Sequence, residues 1–203
     1  TEAFNRNYEK QFSTVLYFDD ALRYFFHEFS KLPSFNNTIF VITGDHRMPE
    51  IPISTQLDRF HVPLVIYSPM LKKAAKFSSV VSHFDITPSL LALLDADSII
   101  SRPKAAAWIG HGLDDEEEFR VANAYPLMRN KNEILDFIDG ERMLANKEIY
   151  QIYENMDIET VNEPDKEKDL EAELNNFLLK NNHACKNNKL IPDSLKVYTY
   201  HGQ

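Results

Sequence analysis

Asp45 and His46 stand side by side at the end of an apolar run, Asn37 to His46 (NTIFVITGDH). An ionised carboxylate is a hard oxygen ligand and an imidazole a borderline nitrogen ligand, so the pair suits zinc, manganese or a similar divalent cation. A buried strand that delivers both groups to its carboxyl end puts them where α/β proteins present metals or phosphoryl groups. Gly44 frees the turn on which they sit. The bland alternative is an aspartate that caps a loop with a histidine packed beside it. Arg47 follows at once. Its guanidinium is either a bidentate contact for an anionic oxygen of substrate or an arginine of a solvated loop.

The elements that would position this group can be read on either side of it. Phe18, Leu22, Phe25, Phe26 and Phe29 mark one apolar face of a helix over about 13–31, stopped by Pro33. At that spacing the phenylalanines read as core rather than as a lipid-facing surface. Residues 38–43 and 62–68 (VPLVIYS) read as strands buried on both faces, joined by a polar loop over 47–59. Thr87 and Pro88 read as the N-cap and first position of a further helix, with SLLALL as its body. Helix, strand, loop, strand, helix is the alternation of a layered α/β fold with a largely parallel sheet.

Beyond Asp95 the pattern changes. Residues 114–118 are an acidic run, read as a solvated loop or first helical turn. Asp139-Gly140 between two apolar stretches predicts a β-hairpin, and Ile149, Ile152 and Tyr153 a further strand. Residues 155–168 read as a polar linker. Leu170, Leu174, Phe177 and Leu178 predict a short amphipathic helix, followed by an irregular tail. The expected division is a partial α/β domain over 1–110 and an extension over 111–203 with hairpin, helix and tail.

Composition sets outer bounds. A chain of 203 residues that is 43% hydrophobic can build a real core. A net charge of -9 argues against gripping nucleic acid by its phosphates. It does not argue against an anionic substrate, because a bound cation reverses the local field. The single cysteine, Cys185, excludes an internal disulfide and a multi-thiolate zinc site. No apolar run approaches the roughly 18 to 20 residues of a membrane span. The chain opens on Thr1 and enters an organised pattern at once, which reads as a piece of a longer protein.

Four blocks in order, YFDDALRYFF, NTIFVITGDH, HVPLVIYSP and SHFDITPSLLALL, resemble the carboxyl-terminal half of the catalytic domain of the alkaline phosphatase superfamily. Within it the likeness is to the lipoteichoic acid synthase-like branch of phosphoglycerol transferases and sulfatase-like proteins. It covers about residues 17–94, and a looser likeness continues through WIGHGLDD and PLMRN. The resemblance implies an alkaline-phosphatase-like sheet with flanking helices. It implies that Asp45 and His46 ligate a divalent metal (manganese, zinc or magnesium, or calcium in a sulfatase). It also implies a metal-activated threonine that attacks a phosphodiester and is transiently phosphorylated.

In that family the threonine and an acidic metal ligand lie upstream of the block that opens this chain. None of Thr38, Thr43, Thr55 or Thr87 occupies the matching place, so the fragment is expected to lack its own nucleophile. His61 is a substrate-binding candidate with Arg47, or else a histidine hydrogen-bonded at a strand edge. His83 and Asp85 read as capping and turn residues, and His111 as part of a surface loop. A sulfatase proper needs a cysteine or serine followed by x-Pro-x-Arg. Ser101-Arg102-Pro103-Lys104-Ala105 lacks the final arginine and reads as chance. The implied partners are anionic lipid, glycan or phosphodiester substrates at the extracytoplasmic face of a cell envelope. Membrane attachment would come only through an upstream anchor. The rival readings are a hydrolase of sulfated glycans and an inert folded domain whose hairpin region contacts glycans or partners.

Overall fold

Helix α1 runs over Glu9–Phe29, beginning a turn earlier than its apolar pattern predicts. The hydroxyls of Ser13 and Thr14 donate back to the carbonyls of Glu9 and Lys10, at 2.8 and 2.9 Å. They are satisfied inside the helix and do not cap it. A 3₁₀ turn, Pro33–Asn37, leads into strand β1, Phe40–Thr43. After a long connection strand β2 follows at Leu64–Tyr67. Phe25, Phe26 and Phe29 of α1 form an aromatic cluster with Phe35, Phe40 and Tyr67. Its ring centroids lie 4.9 Å apart for Phe26–Phe40 and 5.4 Å apart for Phe29–Phe40.

Two expectations for this region are corrected. The strands pair antiparallel, from Phe40↔Tyr67 to Thr43↔Leu64, where a largely parallel sheet is predicted. A parallel return needs a crossover, usually a helix, and residues 44–63 contain only the 3₁₀ turn Leu57–Arg59. Phe18 is exposed, and so are Val65, Ile66 and Tyr67. Four-residue strands span about 13 Å and a 21-residue helix about 31 Å. So two strands cover only the last turns of α1.

The computed structural model describes residues 7–101 and 109–190. Residues 102–105 of the Ser101–Ala105 stretch, Trp108 of WIGHGLDD, and the tail from 191 lie outside them. Contacts divide the chain into Thr1–Ala75 and Lys76–Gln203, whereas the boundary expected at 110 rests on the change in sequence character.

In the second unit α2 spans His83–Ala96. Its cap is not Thr87-Pro88 but a capping box from Ser82 to Asp85. Asp85 Oδ2 accepts the Ser82 N–H at 2.8 Å, and Ser82 Oγ accepts from the Phe84 N–H. Pro88 lies inside the helix, where its missing N–H leaves the Phe84 carbonyl without its usual donor. Gly110 runs so close to that carbonyl that a Cβ would lie 2.1 Å from the oxygen. Asp85 is fully buried, and its Oδ1 accepts the N–H groups of His111 and Gly112 at 2.8 and 3.2 Å. Ser89 Oγ accepts the Leu113 N–H at 2.6 Å. The expected structural role of Asp85 is therefore larger than a cap, since its carboxylate stitches loop 110–113 to α2. Burial beside that carboxylate also pushes the Tyr125 hydroxyl well above its ordinary pKa.

The remainder is an antiparallel meander. Strands β3 (Tyr125–Asn130), β4 (Glu133–Asp139), β5 (Arg142–Ala145), β6 (Glu148–Ile152) and β7 (Ile158–Val161) lie in chain order. Helix α3, Pro164–Asn187, packs on one face through Leu170 and Leu174 against Phe137, Leu144 and Ile149. Pro126 is tolerated because β3 is an edge strand. The predicted hairpin exists, shifted by one residue. Asp139 pairs with Arg142, and Gly140 (φ +57°) and Glu141 make the turn. The next turn, Asn146-Lys147, has both residues left-handed, at φ +53° and +63°. The predicted linker over 155–168 is in fact a turn, β7 and the start of α3. The predicted short helix reaches Asn187, into the region read as an irregular tail. Inside the sheet Asp136 is buried and held bidentately by Arg129, at 2.5 and 2.7 Å.

Asp85→Ala removes the acceptor for three backbone N–H groups, and the expected loss is about 3 kcal/mol. Amide exchange of His111 and Gly112 should accelerate; unchanged protection would show that the carboxylate does not hold the loop. Asp114 gives a pH signature. Arg120 donates to both its oxygens at 2.6 Å. With the Glu116 N–H and Ser79 hydroxyl, this lowers its pKa to about 2, against an ordinary 3.8. A carboxylate depressed on folding stabilises above its unfolded pKa and loses that contribution as pH falls through the folded one. Stability followed from pH 5 to 2 should therefore fall, and Asp114→Asn should flatten part of that slope.

Candidate metal centre

The antiparallel register decides which side chains can share a site. β1 ends at Thr43 where β2 begins at Leu64, so the chain leaves and re-enters the ladder at one end. Asp45, His46 and Arg47 follow the exit, and His61 precedes the re-entry. Gly44 matters here for space: a Cβ on it would come within 3.3 Å of Val62 Cβ and Cγ1. A larger residue would require Val62 to give by a few tenths of an ångström.

The side chains of Asp45 and His46 approach each other. Asp45 Oδ1 accepts the His46 N–H at 2.9 Å, which leaves Oδ2 open. His46 Nδ1 lies 2.6 Å from the Arg47 carbonyl. A carbonyl only accepts, so Nδ1 carries the hydrogen, and in the neutral ring Nε2 then presents its lone pair. Metal-binding histidines are commonly fixed by such a bond from the non-ligating nitrogen. The free donors, Oδ2 and Nε2, are 3.6 Å apart, and the side chains are 90% and 68% exposed. Two donors about 2.1 Å from one cation and 3.6 Å from each other subtend roughly 120°, an acceptable angle in a zinc-type site. The pair thus fits a divalent cation, although among the described residues no three His, Cys, Asp or Glu side chains converge as a metal-holding group.

The other expected site residues divide. Arg47 Nη1 donates to the carbonyls of Met48, Pro49 and Ile51, at 2.9, 3.1 and 2.8 Å, so it curls its own loop. His61 is exposed, at the same end of the ladder as the pair. His83 is exposed at the start of α2, and His111 is exposed in the loop that Asp85 holds. Arg59, in the 3₁₀ turn two residues before His61, is not among the expected site residues. Its Nε is closed off from solvent and has no hydrogen-bond partner, a state that calls for an explanation in a native structure. Its one sequence signal is a cation two residues before His61.

A model of the sulfatase family matches residues 1–96, a segment that contains the Asp-His pair and α2. The match supports the alkaline phosphatase/sulfatase superfamily, and domains of that family generally use a divalent metal. It does not reach as far as a lipoteichoic acid synthase-like branch. No curated protein and no solved structure matches the chain. The mixed α/β architecture, with its five-stranded antiparallel sheet and flanking helices, is consistent with a partial alkaline-phosphatase-like domain together with a sheet-and-helix region.

Because both side chains are exposed, Asp45→Ala and His46→Ala should each shift unfolding free energy by no more than about 0.5 kcal/mol. They should nevertheless abolish paramagnetic broadening by Mn²⁺ of amide signals around 44–47. Broadening that persists in both variants would place the cation elsewhere.

Proposed function

We propose that this chain supplies two ligands, Asp45 and His46, to the metal centre of an enzyme that transfers phosphoryl-type groups, such as phosphoglycerol or phosphoethanolamine. The carrying observation is the open Oδ2–Nε2 pair, 3.6 Å apart at a strand end, inside the segment that matches the sulfatase family model. A divalent cation held there would neutralise charge on a phosphoryl oxygen and favour a deprotonated nucleophile. The residues of this chain bind and orient. Asp45 keeps one oxygen for the cation while the other fixes the His46 backbone. His61, exposed just before the chain re-enters the ladder, suits the anionic oxygens of substrate. The nucleophile comes from residues outside this sequence.

The substrates suited to such a centre are anionic lipids, glycans or phosphodiesters of a cell envelope, with the enzyme on the extracytoplasmic face. No described helix is long and apolar enough to cross a membrane. A second reading, sulfate ester hydrolysis, is equally compatible with the family match. The upstream residues discriminate: a threonine in the nucleophile block points to transfer, and a Cys-x-Pro-x-Arg motif to sulfate hydrolysis.

The 203-residue chain should bind Mn²⁺ or Zn²⁺ weakly, because two ligands fall short of a closed site, and it should not turn over a phosphodiester. Calorimetry that found tight binding, or turnover lost in Asp45→Ala, would mean that the whole centre lies within these residues. Absence of any Asp45-dependent metal binding would defeat the proposal.

A further inference from the structure

Arg47 follows the metal pair, and its side chain folds forward over its own loop. Three carbonyls, those of Met48, Pro49 and Ile51, converge on Nη1 within 3.1 Å. The Ile51 N–H closes the same turn onto the Met48 carbonyl at 3.2 Å. Nη1 carries two hydrogens and already faces three acceptors, so this nitrogen has nothing left for a substrate anion.

The backbone carbonyl of Arg47 is also the acceptor for His46 Nδ1, at 2.6 Å. Side-chain cradle and carbonyl lie on opposite sides of one rotatable bond, Cα–C of Arg47. Turning that bond swings the carbonyl away from the imidazole. The same turn carries Met48, Pro49 and Ile51 off the guanidinium. The cradle therefore resists the motion that would release the ring.

We propose that Arg47 is a positioning residue for His46. By fixing its own carbonyl it holds the imidazole with hydrogen on Nδ1 and the Nε2 lone pair turned towards Asp45 Oδ2. The functional meaning of this rests on the metal-centre reading above, while the tautomer claim stands on the geometry alone. It gives Arg47 a role different from a contact to substrate oxygens.

The test uses the ¹⁵N-labelled 203-residue chain without metal, at a pH where His46 is neutral, reading the imidazole nitrogens by long-range ¹H–¹⁵N correlation. Wild type should show the Nδ1–H tautomer. Arg47→Met keeps the aliphatic stem but has no donors, and should shift His46 towards the Nε2–H form that free imidazole side chains favour. Arg47→Lys, whose ammonium still has three donors, should retain most of the wild-type tautomer. It also keeps the experiment decisive if the methionine variant unfolds. Mn²⁺ affinity should fall about tenfold in Arg47→Met, within the range for residues that orient a ligand, and less in Arg47→Lys.

A methionine variant with wild-type tautomer and Mn²⁺ affinity would overturn the positioning role and leave the metal reading untouched. Loss of inorganic phosphate binding in that variant with an unmoved tautomer would overturn it in favour of direct anion contact. If wild type shows no Asp45-dependent Mn²⁺ binding, the metal reading fails, and the tautomer comparison still judges Arg47 separately.

Discussion

Thr43 pairs with Leu64, and that antiparallel register governs where every candidate group can stand. The connection over 44–63 begins and ends at one edge of a four-residue ladder. Asp45, His46, Arg47, Arg59 and His61 all lie on this one excursion. A parallel arrangement would have carried the chain the length of the strands before re-entry and set His61 at the far end. The close approach of Val62 to Gly44 shows how tightly the two limbs are drawn together at the mouth. In this chain the site depends on a pairing direction more than on any single side chain.

Two aspartates differ in how far the protein satisfies them. Asp85 is fully buried, and its two oxygens answer the N–H groups of Ser82, His111 and Gly112. No acceptor capacity faces solvent, so the group can only hold structure. Asp45 uses one oxygen on the neighbouring backbone N–H and leaves the other in the open. The arginines divide in the same way. Arg47 Nη1, Arg129 and Arg142 have oxygen acceptors within the protein, including the Glu163 carboxylate for Arg142. Arg59 has a buried Nε with none.

What could be read from the residues was local. The apolar run ending in Asp-His, the aromatic face of α1 and the glycine turn after β4 each depend on neighbours a few positions away, and all three are present. The direction of β1–β2 pairing depends on what fills the space between distant segments, and no periodicity reports it. Thr87-Pro88 imitates a helix start because Pro suits a first helical position equally well. The working cap is Ser82 with Asp85, a shorter acid than the Glu of the usual box. Asn146-Lys147 contains no glycine, so the tight turn before β6 was invisible to composition. Residues 155–168 are polar because β7 and the outer face of α3 meet water, not because they lack structure. The exposure of Phe18 has a related cause: helical periodicity identifies an apolar face without showing how much sheet is present to cover it.

The family match ends at residue 96, yet α2 does not stand alone there. Its buried Asp85 takes two of its three donors from His111 and Gly112, and Ser89 takes one from Leu113. An uncompensated carboxylate at that depth is strongly disfavoured. The loop that relieves it approaches so closely that residue 110 has no room for a side chain. The segment after the match therefore completes α2 physically. The meander reinforces this through Tyr125, the first residue of β3, which is itself buried beside Asp85. A boundary drawn from sequence likeness cuts through this hydrogen-bonded cluster, whereas one drawn from contacts leaves it whole.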